Sequence, residues 1–539
     1  MTESPPPPKG PRNPTWIRAA ALVLVAVLAY ASVVFAGFVF DDEYALLSNP
    51  VVQGRVPAGE AFLRDFWGNP PERTIGSYRP FVLLALVLDG RLGGMSPGPF
   101  HTVNVLWHAL AVVAAYLAWR RIGGGRAALA GAGLLAVLAA PSEAVQGIVG
   151  RADLMMATFV LAGLHAHRTP GWKGAAIATT TLVLALGSKE SAVAAPLAWA
   201  AMDLLVPAGD GRRFRPGRLA LYGLAGVAYL AGRAVALGAV TARAIDPISN
   251  PLVEADLAGR LLGACRVLAE RYLLGLADPT RRLYDCSASA CGPSGPTDPV
   301  AWLGVLAVLA LAASPFLLRR RAPSCAAGLA WFGLFLLPSS NLLFLGPTIY
   351  GERLLYVPAI GLAPVVAHGL YALADRLRRP LFAPLALVLL GLGNAAAVQV
   401  RNLDWRTPEA LYLSGLEYAP DSAKVRYNVA WAAFRRGEYA VAEANAREAL
   451  ELRPDHPQAR GLLAGALDVQ GRTREAGEQF AIALEEGRDP DLVVHHATFL
   501  ARHGQYRKAL DEVRDRLQAF PDHVRLRDLE QRLVDRLAQ

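Results

Sequence analysis

Charge is what this 539-residue sequence has least of: 18% of its residues are Asp, Glu, Lys or Arg, against 53% that are hydrophobic. Soluble globular chains are usually about a quarter charged. The shortfall, with a mean hydropathy of +0.30, excludes a soluble multidomain enzyme and points to a chain that crosses a membrane several times. Cysteine is scarce as well, and four in the whole sequence cannot build a disulfide scaffold. Cys286 and Cys291 are close enough to bridge a small loop in an oxidising compartment, and a pair of free thiols fits the spacing equally. The first apolar run, residues 16–39, lacks a clear small-residue cleavage site and is long for a signal peptide. Residues 1–15, with Pro5 to Pro8, Lys9 and Arg12, therefore read as a flexible cytoplasmic tail ahead of an uncleaved signal anchor. The interiors of the apolar runs are almost free of charge, which argues against a transporter, because an ion or solute path is marked by ionisable residues.

The charge that is present is unevenly placed. The net balance of +9 would suit a polyanionic partner, but the arginines sit in short clusters between apolar runs: Arg120, Arg121 and Arg126; Arg212, Arg213, Arg215 and Arg218; Arg319 to Arg321; Arg376, Arg378 and Arg379. The bias of cytoplasmic loops towards Lys and Arg accounts for these without nucleic acid. Spans are expected at 16–39, 100–119, 127–140, 154–165, 175–187, 192–206, 219–240, 300–318, 326–345, 354–373 and 381–400, about eleven in all. Residues 79–92 are too short to cross. Residues 257–277 carry Arg260, Arg266, Glu270 and Arg271, and read as an amphipathic helix lying along the interface. With those two left out, every basic cluster falls on the N-terminal side. The loops 41–77, 141–153, 187–191, 241–299 and 346–353, and everything after residue 400, then share the opposite face.

Past residue 400 a helical repeat begins. Gly437, Gly471 and Gly504 recur, each with an alanine seven residues before (Ala430, Ala464, Ala497) and another five after (Ala442, Ala476, Ala509). This is the tetratricopeptide (TPR) pattern, with about three repeats and a capping helix over 422–539. A stretch at 401–421 links them to the membrane part. Such a solenoid binds a peptide, protein or acceptor in its groove, or packs only on the membrane domain.

The polar loops carry Asp41-Asp42-Glu43, Asn49-Pro50, Tyr78-Arg79-Pro80, Phe100-His101 with Asn104 and His108, Gly150-Arg151-Ala152-Asp153, Lys189-Glu190, and Glu352-Arg353 with Tyr356 and Pro358. His101, Asn104 and His108 fall at i, i+3 and i+7 and so share one helix face. In this order, followed by a TPR array, the motifs make the chain resemble the integral-membrane glycosyltransferases of the C superfamily (GT-C), and within them the transmembrane and TPR-containing protein O-mannosyltransferases. Ala140-Pro141 departs from the His-Pro usual in that family, so no role for that histidine carries over, and the array is short beside those of the animal relatives.

The resemblance implies an all-α fold: a polytopic GT-C membrane domain over 16–400, with a first non-cytoplasmic loop at 40–99, followed by a TPR α-solenoid. It also implies transfer of a mannose-like sugar, with inversion, from a polyprenyl-phosphate-linked donor to a hydroxyl, as on Ser or Thr of secreted or periplasmic proteins. Such chemistry needs a carboxylate base near the hydroxyl and positive charge at the leaving phosphate. Asp42 and Asp41 are the base candidates, with Asp42 slightly preferred. Adjacent side chains point different ways, so one of them is expected to face the acceptor. Arg79, Arg353, Arg151 and Lys189 are the candidate phosphate ligands; each could instead pair locally, Lys189 with Glu190, Arg353 with Glu352, Arg151 with Asp153. His101, Asn104, His108, Glu190, Glu352 and Tyr356 are supporting residues. No cofactor and no metal are expected, since a monophosphate carrier needs a metal less than a diphosphate does, although Asp41, Asp42 and a histidine are types that coordinate a divalent ion. Rival readings are the same chemistry on a lipid or cell-wall glycan, and a non-catalytic membrane scaffold recruiting partners through its TPR groove. The Ala, Leu, Arg and Gly bias suggests a bacterial inner membrane with the active face periplasmic.

Overall fold

The computed structural model describes residues 14–207, 215–238, 245–280, 283–286, 291–487, 489–521 and 523–539. The expected cytoplasmic tail, Arg212 and Arg213, the end of the 219–240 span and parts of the 241–299 loop lie outside the described residues. Among the described residues every regular element is helical.

Seven helices among the described residues are long and apolar enough to cross a membrane: Thr15–Phe35, Pro97–Ile122, Ile148–His167, Pro216–Leu237, Pro299–Leu318, Glu352–Arg376 and Phe382–Asp404. Shorter apolar helices at Gly125–Val137, Gly171–Leu186 and Pro323–Ser339, with Ala195–Leu205, fall where the remaining spans were expected. This is the build of an integral membrane protein. Ile148–His167 is central and mostly buried within the protein, whereas Pro299–Leu318 and Phe382–Asp404 are peripheral. The peripheral helices turn Leu306, Leu309, Leu385 and Leu389 outward. In water such a surface would cost about 25 cal/mol per Å²; against lipid it costs nothing.

Small residues set how closely the helices approach. A Cβ on Gly131 would lie 2.6 Å from Pro364, and Gly328 and Gly361 each sit against the other's carbonyl oxygen, at 2.5 Å from where a Cβ would be. Backbones in such contact gain dispersion where no hydrophobic drive separates protein from lipid.

The two segments set aside, one for its length and one for its charge, are both helical. Pro80–Gly93 forms a helix of 14 residues outside the long spans. The arginine-bearing stretch runs as Leu257–Val267, Leu268–Leu273 and Leu274–Ala277 and packs on Pro299–Leu318, where a Cβ on Gly304 would collide with the Cys265 carbonyl. Its N-terminus is capped by Asp256, which accepts the Gly259 N–H at 2.8 Å.

After Phe382–Asp404 the helix Pro408–Tyr418 leads into three helical hairpins, Ala423–Arg435 with Tyr439–Leu452, Pro457–Val469 with Thr473–Glu486, and Pro490–Arg502 with Tyr506–Ala519, closed by Val524–Ala538. The six alanines of the repeat are fully buried, and Gly437, Gly471 and Gly504 take positive φ values of 81°, 81° and 75° at the hairpin turns. Only glycine adopts that conformation without strain.

Candidate active site

The acidic pair follows a sharp reversal. Phe40 has φ of 57°, a left-handed conformation that costs a bulky residue about 1–2 kcal/mol. It is held there by packing: its ring meets Tyr284 edge-on at 5.4 Å and lies beneath Lys424 Nζ at 5.5 Å. Beyond it the two adjacent aspartates point in different directions. Asp42 is buried, its carboxylate accepting the N–H of Val39 at 3.3 Å and of Val149 at 3.1 Å. Burial pushes its carboxyl up to about 7, against the pull of those two donors. Asp41 remains 28% exposed, with Oδ2 3.5 Å from Arg353 Nη2. Glu43 turns away to Arg435 of the first TPR helix, at 3.3 Å.

Arg353 stands at the centre. Its guanidinium bonds Glu143, its backbone N–H donates to the other Glu143 oxygen at 2.9 Å, and its Nη2 reaches Asp41. Glu143 is itself buried. Lys189 donates to both oxygens of Asp153, at 2.6 and 2.7 Å. Burial lowers the Lys189 pKa, Asp153 opposes that, and the nearby charges of Arg79 and Arg353 lower it further, so these three cations share one electrostatic neighbourhood. Arg79 Nε donates to Glu190 at 3.2 Å, and its guanidinium lies 5.2 Å from the Phe66 ring centre. Burial raises the Glu190 pKa, but Arg79, Arg233 and the Tyr78 N–H outweigh it and hold the carboxylate below its usual range.

Arg151 does not join them. It is fully buried, and each of its three nitrogens is engaged: Nε with Asn104, Nη1 with Asp89 at 2.6 Å and Nη2 with the Phe100 carbonyl at 2.8 Å. Asn104 in turn donates to the Gly147 carbonyl at 2.9 Å. Arg151, expected among the phosphate ligands, is tied here through Asn104 to the carbonyls of the 145–148 loop. The local ion pairs also differ from expectation. Lys189 meets Asp153 rather than Glu190, Arg353 meets Glu143 and Asp41 rather than Glu352, and Arg151 meets Asp89 rather than Asp153. Each chosen partner comes from a part of the chain distant in sequence.

The supporting residues have separate places. His101 Nε2 bonds the Gly37 carbonyl at 3.1 Å, tying the second long helix to the chain leading into Asp41. His108 donates from Nε2 to the Ala136 carbonyl at 3.2 Å, and its Nδ1 accepts from the Tyr356 hydroxyl at 2.7 Å, a lock among three helices. Glu352 accepts the Leu283 N–H at 2.9 Å and bonds Arg401. Among the described residues no group of three or more His, Cys, Asp or Glu is placed to hold a metal ion.

Glu143, Asp153 and Arg401 were not singled out as site residues from the sequence, and neither was Lys424. Lys424 bonds Asp285 at 2.9 Å, next to Tyr284, whose hydroxyl accepts from Asn428 at 3.2 Å. The first TPR helix is thus seated against the loops that carry Asp41. Glu143 was legible as a carboxylate in a polar loop; nothing in the sequence marked Lys424, whose neighbours lie far away along the chain.

An all-α membrane domain gathering carboxylates and cations at one end, with a TPR array docked on that end, defines the class of molecule. A tetratricopeptide repeat family profile matches residues 433–496. The chain is similar to the TPR-containing protein O-mannosyltransferases over most of its length, as its motifs implied. It is 30% identical to protein O-mannosyl-transferase Tmtc1 of Drosophila melanogaster, over 80% of this chain and 61% of that protein. With TMTC3 of Mus musculus the identity is 27%, over 86% and 54%. With TMTC4 of Homo sapiens it is 29%, over 75% and 62%. The chain thus spans roughly half to three fifths of these relatives' length. Among solved structures, the oligosaccharyltransferase of Archaeoglobus fulgidus tethered with an acceptor peptide aligns with TM-score 0.40 at 12% identity, over 77% of this chain and 59% of that one. ArnT from Cupriavidus metallidurans bound to undecaprenyl phosphate aligns with TM-score 0.38 at 18% identity, over 86% and 78%.

Proposed function

We propose that the chain is a membrane glycosyltransferase that moves a mannose-like sugar from a polyprenyl-phosphate-linked donor to a hydroxyl, on Ser or Thr of secreted or periplasmic proteins. The relatives' names supply mannose and protein as donor sugar and acceptor. The observation that carries the reading is the pairing of an accessible carboxylate, Asp41, with Arg353, in the same neighbourhood as Lys189 and Arg79.

Asp41 takes the proton of the acceptor hydroxyl. The hydroxyl oxygen attacks the sugar's C1 from the face opposite the phosphate, and the bond from C1 to the phosphate oxygen breaks. Polyprenyl phosphate leaves with the electron pair, and a single displacement inverts C1. Arg353 stabilises the charge that grows on the phosphate, helped by Arg79 and Lys189. Asp41 is preferred to Asp42 because Asp42 is buried and committed to two backbone donors, a loop anchor rather than a base. Arg151, Asn104 and His101 position that loop. Residues 16–400 form the catalytic unit, 401–421 a linker and 422–539 the TPR unit, which presents the acceptor. The placement is an inner membrane with the active face periplasmic.

The test is to give membranes bearing the protein a labelled polyprenyl-phosphate sugar and separate protein from lipid and glycan. Label on Ser or Thr of protein, lost in Arg353→Gln, is expected. Label in the lipid or glycan fraction alone would replace the acceptor, and label unaffected by Arg353→Gln would remove the phosphate site.

A further inference from the structure

The TPR array meets the first polar loop at two places. Arg435, at the end of the first TPR helix, bonds Glu43 at 3.3 Å, and the ring of Phe520, which follows the third hairpin, lies 5.3 Å from the Arg73 guanidinium. Tyr44 stands beside the first of these contacts. It belongs to the helical turn that begins at Asp41, and residues three apart in such a turn are neighbours on one face. The Tyr44 ring is 53% exposed, yet surrounding protein and the carboxylates of Asp491 and Asp489 raise its hydroxyl pKa, while Arg525 lowers it. A ring that is open to water and still within reach of the third repeat lies in a cleft. The Asp41 turn is one wall and the array is the other. Tyr412, on the linker helix, has its hydroxyl raised first by burial and then by neighbours that include both Tyr44 and Asp41, so the two share this side of the turn.

On the array the cleft leads to a cavity of about 320 Å³. Arg525, whose charge reaches Tyr44, lines it, and so does Phe434, the neighbour of Arg435. The cavity is therefore continuous with the contact between array and membrane domain. Its arginines are engaged, Arg502 with Asp468 at 2.8 Å, Arg525 with Asp491 at 2.7 Å and Arg532 with the Asp528 carbonyl at 3.2 Å. Recognition is left to the apolar walls, Phe434, Leu462, Phe480, Val494 and Phe499. Walls of this kind suit a large apolar side chain better than the hydroxyls of a glycan.

We infer that Tyr44 is a wall of the acceptor site: the accepting Ser or Thr belongs to a polypeptide segment that lies across Tyr44 at Asp41 and places a nearby large apolar side chain in the cavity of the array. The inference rests on the transfer reading, in which Asp41 is the base. A polypeptide carries all that the cleft asks for, a hydroxyl for Asp41, flat peptide groups for the Tyr44 ring and an apolar side chain for the cavity, on one backbone that advances about 3.3–3.6 Å per residue.

The test uses the full chain purified in detergent and two fluorescent probes, a short unstructured peptide of Ser, Thr and Gly carrying one Phe, and the same peptide with Ala in place of that Phe. Wild type should bind the Phe peptide about tenfold more tightly than the Ala peptide. Thr498→Trp fills the cavity from an exposed position without changing charge and should erase that preference while leaving the Ala peptide unaffected. Tyr44→Ala should weaken both peptides, and Tyr44→Phe, which keeps the ring, should restore them. Unchanged affinity for a short-chain polyprenyl phosphate shows that each variant folds. Equal affinity of wild type for the two peptides, wild-type binding by Tyr44→Ala, or tighter binding of maltohexaose than of either peptide overturns the inference. Failure of the transfer reading looks different: the Phe peptide binds as expected, which upholds the cleft, but takes no label from a polyprenyl-phosphate sugar.

Discussion

At the scale of single residues, two adjacent aspartates have unlike surroundings. The Asp42 carboxyl, pushed up to about 7 by burial, keeps its proton in the folded chain over a range where the unfolded chain has lost it. Its contribution to stability is therefore present at low pH and fades as pH rises towards about 7. Asp42→Asn has no such term, so the wild type's lead over it in thermal unfolding should shrink between about pH 5 and about pH 8. A lead that grew with pH would contradict the burial argument. Arg353→Lys tests the centre of the cluster. A lysine cannot span Glu143 and Asp41 with a planar fork, so sugar transfer should fall by about tenfold or more, and a full-rate lysine variant would count against the fork. The types of residue in this site were legible in the sequence, because the proposed transfer from a lipid phosphate would need carboxylates and cations on one face. Their pairing was not. Glu143, Asp153, Asp89 and Arg401 complete ion pairs only after distant helices meet, and the left-handed Phe40 that leads into Asp41 has no local signature in Val39-Phe40-Asp41.

Helices and turns were easier to read, because apolar run length and repeated glycines are local properties. Each expected span has a helix in its place, the amphipathic 257–277 stretch lies against a long apolar helix, and the repeat glycines hold positive φ. What pattern alone could not supply is how near the helices come. Gly361 faces the Gly328 carbonyl and the Trp331 ring, so Gly361→Val should cost about 1–3 kcal/mol through overpacking. Gly223, with nothing near its would-be Cβ, is the control, and Gly223→Ala should leave the thermal midpoint in detergent unchanged. Equal midpoints for the two variants would show that the close crossing is not what holds these helices together.

For the molecule as a whole, the connection between membrane domain and TPR array matters most. Besides the pairs of Glu43 with Arg435 and Glu254 with Arg453, a short segment contributes to it: Leu283 donates to Glu352, Tyr284 accepts from Asn428, Asp285 pairs with Lys424, and Cys286 is bridged to Cys291. The sequence left that bridge open between disulfide and free thiols. Replacing both cysteines with serine should loosen the array, seen as faster proteolysis at residues 401–421, and Lys424→Glu should do the same by setting like charges together. Unchanged proteolysis in both would mean that the array is held elsewhere. Asp41 is the proposed base and Asp42 the proposed anchor. The direct measurement is sugar transfer from a labelled polyprenyl-phosphate donor in membranes carrying wild type, Asp41→Asn or Asp42→Asn at matched protein levels. Transfer should be abolished in Asp41→Asn and reduced, with lower stability, in Asp42→Asn. Equal transfer by all three would contradict the enzyme reading, and loss confined to Asp42→Asn in a stably folded protein would exchange the two roles.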